Sequence, residues 1–271
     1  MALLRILFIT ALSLILTPAQ SQLSLDYYHK SCPRFNQIVQ DTITSKQITS
    51  PTTAAAALRL FFHDCLVGGC DGSILISSTA FNSAERDADI NHSLPGDAFD
   101  VVVRAKTALE LACPNTVSCA DILALATRDL VTMVGGPYYN VFLGRKDGLV
   151  SKSSYVEGKL PRPTMSISQI IELFASNGFS IQETVALCGA HTIGFSHCKE
   201  FSSGIYNYSK YSQYDTQYNP SDPRTKPFVE TYAADQNKFF EAFGKAMEKL
   251  SLYKVKTGRQ GEIRHRCDEF N

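Results

Sequence analysis

The 271-residue sequence lacks several features that would point to particular functions. It contains no Trp, and its 26 Lys and Arg residues balance its 26 Asp and Glu residues. A balanced charge excludes a global basic field that would draw the chain to nucleic acid or to an anionic membrane. CxxC and HxxxH pairs at zinc-binding spacing are also absent. The sequence is 44% hydrophobic, enough for one large globular domain with a full core.

The N-terminus is typical of an exported protein. Arg5 precedes an apolar run over residues 6–16, and small residues at 19–21 fit the pattern that a signal peptidase cleaves. The run is too short for a spanning helix, and no later run is long enough. We therefore predict a signal peptide over residues 1–21 and a mature, soluble, secreted domain over residues 22–271.

Eight cysteines remain to be explained, at positions 32, 65, 70, 113, 119, 188, 198 and 267. In an exported protein, cysteines favour disulfides. Eight cysteines allow 105 pairings, and the spacings alone do not choose among them. Only Cys65 and Cys70 are close enough to suggest a small loop.

Apolar residues recur at helical spacing through most of the chain, which predicts an all-α fold. Helices are expected over residues 53–64, 100–111, 119–134 and 228–250. Ser118, Ser166 and Ser180 each precede an acidic or amide residue by three positions, the pattern of a helix N-terminus. There is no internal repeat and no series of alternating strands.

Two histidines follow apolar runs, His63 in the first predicted helix and His191 further along the chain. Arg59 lies four residues before His63, so the two share a helix face. A cation beside an imidazole can stabilise negative charge while the imidazole transfers a proton. The alternative is a surface Arg and a His that caps a helix end.

Oxygen-bearing residues cluster just after His63. Asp64, Asp71 and Ser73 flank a turn through Val67 and Gly69, and carboxylate, hydroxyl and carbonyl oxygens are the ligands that calcium takes. The spacing is not that of an EF-hand, so the pattern alone is a weak indication of a calcium site.

Together these motifs resemble the secreted plant haem peroxidases, the class III family. The resemblance runs from about residue 22 to the C-terminus, with the motifs in the family's order. They are RLFFHDC at 59–65, GCDGSIL at 69–75, VSCADIL at 117–123, GGP at 135–137, LGRKD at 143–147, LP at 160–161, GAHTIG at 189–194, TG at 257–258, GEIR at 261–264 and Cys267.

The resemblance implies an α-helical fold of two lobes that sandwich haem b. His191 would be the axial ligand of the haem iron. His63 would move a proton between the two oxygens of hydrogen peroxide while Arg59 stabilises the developing charge. Four further positions carry over: Asn91 orients His63, Glu85 lies behind Asn91 in the same hydrogen-bond network, Phe62 shields the reactive oxygen, and Pro161 lies where phenolic donors dock.

The resemblance also implies a set of structural features. Asp64, Val67, Gly69, Asp71 and Ser73 match the family's distal calcium site. The implied disulfides are Cys32–Cys113, Cys65–Cys70 and Cys119–Cys267. Asn207 is the better of two glycosylation sequons, because Asn91 in the other would be buried. Because four residues follow Cys267, we expect no vacuolar extension and predict the extracellular space.

The sequence departs from the family pattern after Pro220. Residues 221–225 resemble a region well beyond the expected one, so an internal block is predicted to be missing and the proximal lobe to be incomplete. Of the proximal calcium ligands only Thr192 remains, and no Asp is identified to pair with His191. Cys198 would lose its partner, leaving a free thiol or a pair with Cys188.

Three interpretations follow. The chain is an active secreted peroxidase that reduces hydrogen peroxide and oxidises phenolic donors in one-electron steps. Alternatively it is a catalytically impaired splice or gene-model variant, or a haem-free secreted calcium-binding or wall-associated protein. The resemblance further implies a monomer, with no nucleic-acid or membrane partner.

Overall fold

The computed structural model describes residues 23–196, 198 and 222–271, and this part of the chain is mainly α-helical. Its helices are α1 Phe35–Thr49, α2 Thr53–Gly68, α3 Gly96–Ala112, α4 Cys119–Met133, α5 Ile167–Ser176, α6 Ile181–Cys188, α7 Lys226–Ala234 and α8 Gln236–Ser251. The described residues form only isolated β-bridges and no sheet. The predicted all-α class is therefore confirmed.

Helix α2 is central, since it packs against α3, α4 and α8. Its first turns are rich in alanine, a strong helix former that lets neighbouring helices come close. Thr127 on α4 donates its hydroxyl to the Ala57 carbonyl at 3.3 Å. The helix ends where Gly69 adopts φ +111°, a conformation that favours glycine. This arrangement fixes the helix that carries Arg59 and His63.

Three serine caps begin helices where the sequence predicts them. Ser166 and Ser180 form complete capping boxes with Gln169 and Glu183, and the Ser118 side chain accepts from the Asp121 backbone N–H. In each case a side-chain oxygen satisfies an otherwise unpaired backbone donor.

The single long helix predicted over residues 228–250 is wrong. The segment forms two helices, α7 and α8, which meet at Asp235. The Asp235 carboxylate accepts hydrogen bonds from the backbone N–H groups of Asn237 and Lys238, so it caps the start of α8. Side-chain capping competes with helix continuation at aspartate, and here capping wins.

Three disulfides tie these helices together, in the pairs that the resemblance implies: Cys32–Cys113, Cys65–Cys70 and Cys119–Cys267. Cys188 and Cys198 are both free and exposed, so the alternative pairing between them is not formed. Within the described part of the chain, every helix is too short or too polar to cross a bilayer. The predicted signal peptide and Asn207 lie outside the described residues.

Two of the later helices, α5 and α7, bury few residues or none. Helix α7 has no buried residue, and on α5 only Phe174 is buried. Phe195, just after His191, is 96% exposed.

Candidate active site

His63 lies in the last part of α2 and is only 6% exposed. Its Nδ1 is 2.6 Å from the Asn91 side-chain oxygen. Because that oxygen can only accept, Nδ1 carries the hydrogen and Nε2 keeps its lone pair. Burial, and to a lesser extent the charge of Arg59, lowers the pKa of His63 from 6.5 to about 4, although the bond to Asn91 opposes the shift. The imidazole is therefore held neutral.

Arg59 lies one turn before His63 and donates its Nε–H to His63 Nε2 at 3.3 Å. The rest of its guanidinium is held by Ser93, whose carbonyl and hydroxyl oxygens accept at 3.1 and 2.9 Å. A cation is thus fixed beside the lone pair of a buried neutral base. The alternative of a surface Arg beside a capping His does not fit, because His63 is buried.

Asn91 is 2% exposed and is oriented by a second contact. Its side-chain N–H donates to the backbone carbonyl of Glu85 at 2.7 Å. The structure therefore connects Asn91 to Glu85 through the main chain, whereas the Glu85 carboxylate accepts from the Ser73 hydroxyl at 3.0 Å. Since both ends of the Asn91 amide are engaged and buried, its sequon is inaccessible.

Glu85 consequently lies between two groups of residues, the His63 pair and the oxygen-rich loop. Burial is the main cause that raises the pKa of its carboxyl to about 8, followed by the charges of Asp64 and Asp71. Its backbone N–H donates to the Ser151 hydroxyl at 3.0 Å, which anchors the segment. A structural change in the oxygen-rich loop can thus affect the position of Asn91 through Glu85.

Phe62 lies beside His63, and Pro161 precedes a residue that contacts the segment carrying Asn91. The Phe62 ring lies 6.2 Å from the His63 ring and 5.9 Å from the Phe174 ring, measured between centroids. Pro161 is half-buried, and Arg162 beside it donates to Asp89 at 3.0 Å. Asp89 begins the short helix Asp89–Asn91. The contact therefore links the Pro161 segment to the helix that contains Asn91.

His191 lies in the short helix Gly189–Thr192 and is exposed. Its Nδ1 is 2.9 Å from the Cys188 carbonyl oxygen, which can only accept. Nδ1 therefore carries the hydrogen, and Nε2 is left with the lone pair that a metal ligand needs. Sequence reasoning missed this carbonyl, although the last carbonyls of a helix are known to lack partners.

The His191 segment contacts the helix that carries Arg59 and His63. A Cβ placed on Gly194 would lie 2.7 Å from the Ala55 Cβ, so the two backbones approach closely. A mainly apolar cleft of about 110 Å³ lies between the start of α2 and residues 193–195. The first predicted histidine motif is thus part of α2, and the second packs against the start of the same helix.

The oxygen-rich loop after α2 is held by buried hydrogen bonds. Asp64 accepts from the Gly72 and Ile74 N–H groups at 2.9 and 3.3 Å, and Asp71 accepts from the Ser73 N–H at 3.1 Å. Burial, and next the charge of Asp71, raises the pKa of Asp64. Two carboxylates that share a buried site repel each other, so they favour a bound cation.

Among residues 23–196, 198 and 222–271, no three His, Cys, Asp or Glu side chains are grouped to hold a metal ion. The set that the resemblance implies has only two carboxylates, with a hydroxyl and carbonyl oxygens completing it. Such a set suits calcium, and the ammonium of Lys256 already contacts the Asp71 carboxylate there. The loop chemistry therefore fits a cation.

Comparison with known proteins agrees with this geometry. Residues 37–247 match the family described as Peroxidase. The chain is 54% identical to Peroxidase 63 of Arabidopsis thaliana over 301 residues, which cover 93% of this chain and 92% of the relative. It is 53% identical to Peroxidase 31 of the same plant, with all of both chains covered.

The alignment with Peroxidase 31 also bears on the missing block. It extends over 318 positions whereas this chain has 271 residues, so at least 47 positions stand opposite a gap. The difference supports an internal loss of sequence, and its place after Pro220 remains a prediction. More than half of the aligned residues are identical to those of each relative, and the alignments cover more than nine-tenths of every chain. The chain therefore belongs to the peroxidase family.

Proposed function

We propose that this chain is a secreted haem peroxidase that reduces hydrogen peroxide at Arg59 and His63 and oxidises small phenolic donors. The observation that carries the proposal is the neutral His63 imidazole, whose Nδ1–H is held by Asn91 at 2.6 Å and whose Nε2 lone pair faces Arg59 at 3.3 Å. A buried, unprotonated base whose lone pair meets only the weak 3.3 Å bond from a fixed cation suits proton transfer during cleavage of an O–O bond.

The haem, when bound, supplies the iron that binds peroxide and passes electrons. His63 Nε2 takes the proton from one peroxide oxygen and gives it to the other, which leaves as water. Arg59 stabilises the negative charge on the leaving oxygen. Two further protons and two electrons, one from each of two phenols, complete the reduction to a second water.

His191 would hold the haem iron through Nε2. Because no Asp is identified as its partner, we propose that the Cys188 carbonyl, at 2.9 Å from Nδ1, holds the His191 ring instead. A neutral carbonyl makes the imidazole less electron-rich than a carboxylate would, so it weakens the bond that His191 can make to the iron. Phe62 and Pro161 are proposed to border the donor-binding edge.

Calcium is proposed at one site only. Asp64, Val67, Gly69, Asp71 and Ser73 are the proposed ligands of the distal site. The proximal site is proposed to be lost. Its one remaining candidate, Thr192, donates its hydroxyl to the Gly189 carbonyl at 2.8 Å.

Secretion and a monomeric state complete the proposal. Three disulfides are consistent with an oxidising compartment. Asn207 is the proposed glycosylation site.

The test is the reaction of the haem-loaded chain with hydrogen peroxide, followed by guaiacol oxidation. His63→Ala should lower the rate constant with peroxide roughly 10²- to 10⁴-fold, the usual contribution of a general acid–base, while the Soret band is retained. His191→Ala should abolish the Soret band. His29→Ala, at an exposed histidine, is the matched control and should change neither. Equal rates for His63→Ala and the wild type would refute the proposal.

A further inference from the structure

The C-terminal segment over residues 253–264 forms one wall of the loop after α2. The Cys70 N–H donates to the Tyr253 carbonyl at 3.1 Å. The Arg264 guanidinium donates to the carbonyls of Gly72 and Asp71 at 2.8 and 3.2 Å. A side chain on Gly69 would collide with the Lys254 carbonyl, 2.3 Å from a Cβ. The loop therefore has little freedom to move away from this wall.

Lys256 projects from that wall into the loop. Its backbone carbonyl accepts from the Lys146 N–H at 2.8 Å, which fixes where its side chain begins. Its ammonium pairs with the Asp71 carboxylate, whose side chain is 3% exposed, whereas that of Lys256 is 28% exposed. The pair is thus buried at its acidic end and partly exposed at the lysine.

The surrounding charges favour this contact. Asp64, Asp71 and Glu85 are all buried, and after burial itself the charges of Asp64 and Asp71 raise the pKa of Glu85. The positive charge of Lys256 is among the effects that lower the pKa of Glu85. The guanidinium of Arg264 is engaged by backbone carbonyls of the loop and of Cys267. Among the described residues, Lys256 is therefore the cation that contacts the Asp71 carboxylate directly.

We propose that Lys256 is the built-in counter-ion of the metal-free loop and competes with calcium for Asp71. The inference rests on the calcium site of the proposed function. A calcium ion takes oxygen ligands at roughly 2.3–2.6 Å, so an ammonium on the same carboxylate would lie close to a dication. Calcium binding must then release the ammonium, and the flexible lysine stem can carry it to solvent.

Two consequences follow for the same side chain. Lys256 lowers the affinity of the loop for calcium, and it stabilises the loop when calcium is absent. Replacing a residue that merely packs against the loop would not strengthen calcium binding and weaken the calcium-free loop at the same time. The pair of effects separates a competing cation from a structural support.

The experiment compares Lys256→Met with the wild-type mature chain. Calcium binding is measured by isothermal titration calorimetry after treatment with a chelator, and Tm is measured with and without calcium. Lys256→Met should bind calcium roughly tenfold tighter or more, because a unit charge a few ångströms away is removed. Its Tm should fall without calcium, and the rise on adding calcium should exceed that of the wild type.

Two further variants serve as controls. Lys254→Met removes an exposed lysine whose ammonium lies 4.9 Å from the Tyr253 ring centre, and it should behave as the wild type. Lys256→Arg keeps the charge and should also bind calcium as the wild type does. If Lys256→Met misfolds, Lys256→Gln provides the same test.

Equal or weaker calcium binding by Lys256→Met would overturn the competition while leaving the calcium site intact. Absence of calcium binding in every variant would overturn both the site and the competition. Calcium binding by Lys256→Met but not by the wild type would support the inference in its strongest form. The reaction with peroxide, measured separately, reports on the proposed enzyme and not on Lys256.

Discussion

Replacing Asn91 with aspartate tests the link between burial and basicity in His63. The substitution changes a neutral acceptor, 2.6 Å from His63 Nδ1, into an anionic one of nearly the same shape. An anion at that position favours the imidazolium, so the pKa of His63 must rise. As the pH falls, the His63 imidazole of the variant is therefore protonated at a higher pH than in the wild type, and it can then no longer take the peroxide proton.

The magnitude follows from the hydrogen bond. Burial lowers the pKa of His63 to about 4 in the wild type. Hydrogen bonds to an ionised partner are stronger than neutral ones by roughly 1–2 kcal/mol, and 1.36 kcal/mol is about one pKa unit. The acid limb of the rate with peroxide should therefore move from about pH 4 to about pH 5 or above.

The assay is the stopped-flow rate constant for hydrogen peroxide between about pH 3 and 8. Asn36→Asp, which adds the same charge at an exposed position on α1, is the control and should leave the limb near pH 4. A limb that stays in place, or moves to lower pH, in Asn91→Asp would refute the assignment of Nδ1 as a donor to residue 91.

Two further predictions concern stability. Arg145→Met should lower the free energy of unfolding by about 3–5 kcal/mol, because it removes the charged partner of a buried carboxylate. The Asp121 carboxylate is fully buried and pairs with Arg145 at 2.9 Å. Urea denaturation measures the loss, and a change below 1 kcal/mol would contradict the prediction. Asp235→Ala removes the cap of α8 and should cost about 1 kcal/mol, measured in the same way against Asp235→Asn, which keeps a capping oxygen and should lose much less.

Local patterns of the fold were predictable from sequence, because the responsible contacts lie within four residues of each other. Arg59 and His63 share a helix face as their spacing requires, and Ser166 and Ser180 cap the helices that they precede. The break at Asp235 was missed because aspartate is compatible with both a helix interior and a cap. Periodicity cannot distinguish the two.

The remaining details of the site depend on contacts that spacing does not reveal. Glu85 supports Asn91 with its backbone carbonyl and turns its carboxylate to Ser73, whereas the sequence suggested only that the two residues belong to one network. Lys256 reaches Asp71 from 185 positions away. No local pattern indicates a partner that distant.

The wall formed by residues 253–264 also sets the order in which the protein can be built. Arg264 meets Asp71 across 193 positions, and Cys70 donates its backbone N–H to Tyr253, 183 positions further along the chain. During synthesis, the loop after α2 can therefore form these contacts only after almost all later residues have been made. Contacts of such separation slow folding. Until residues 253–264 have been made, the loop lacks the carbonyl and guanidinium partners that this segment supplies.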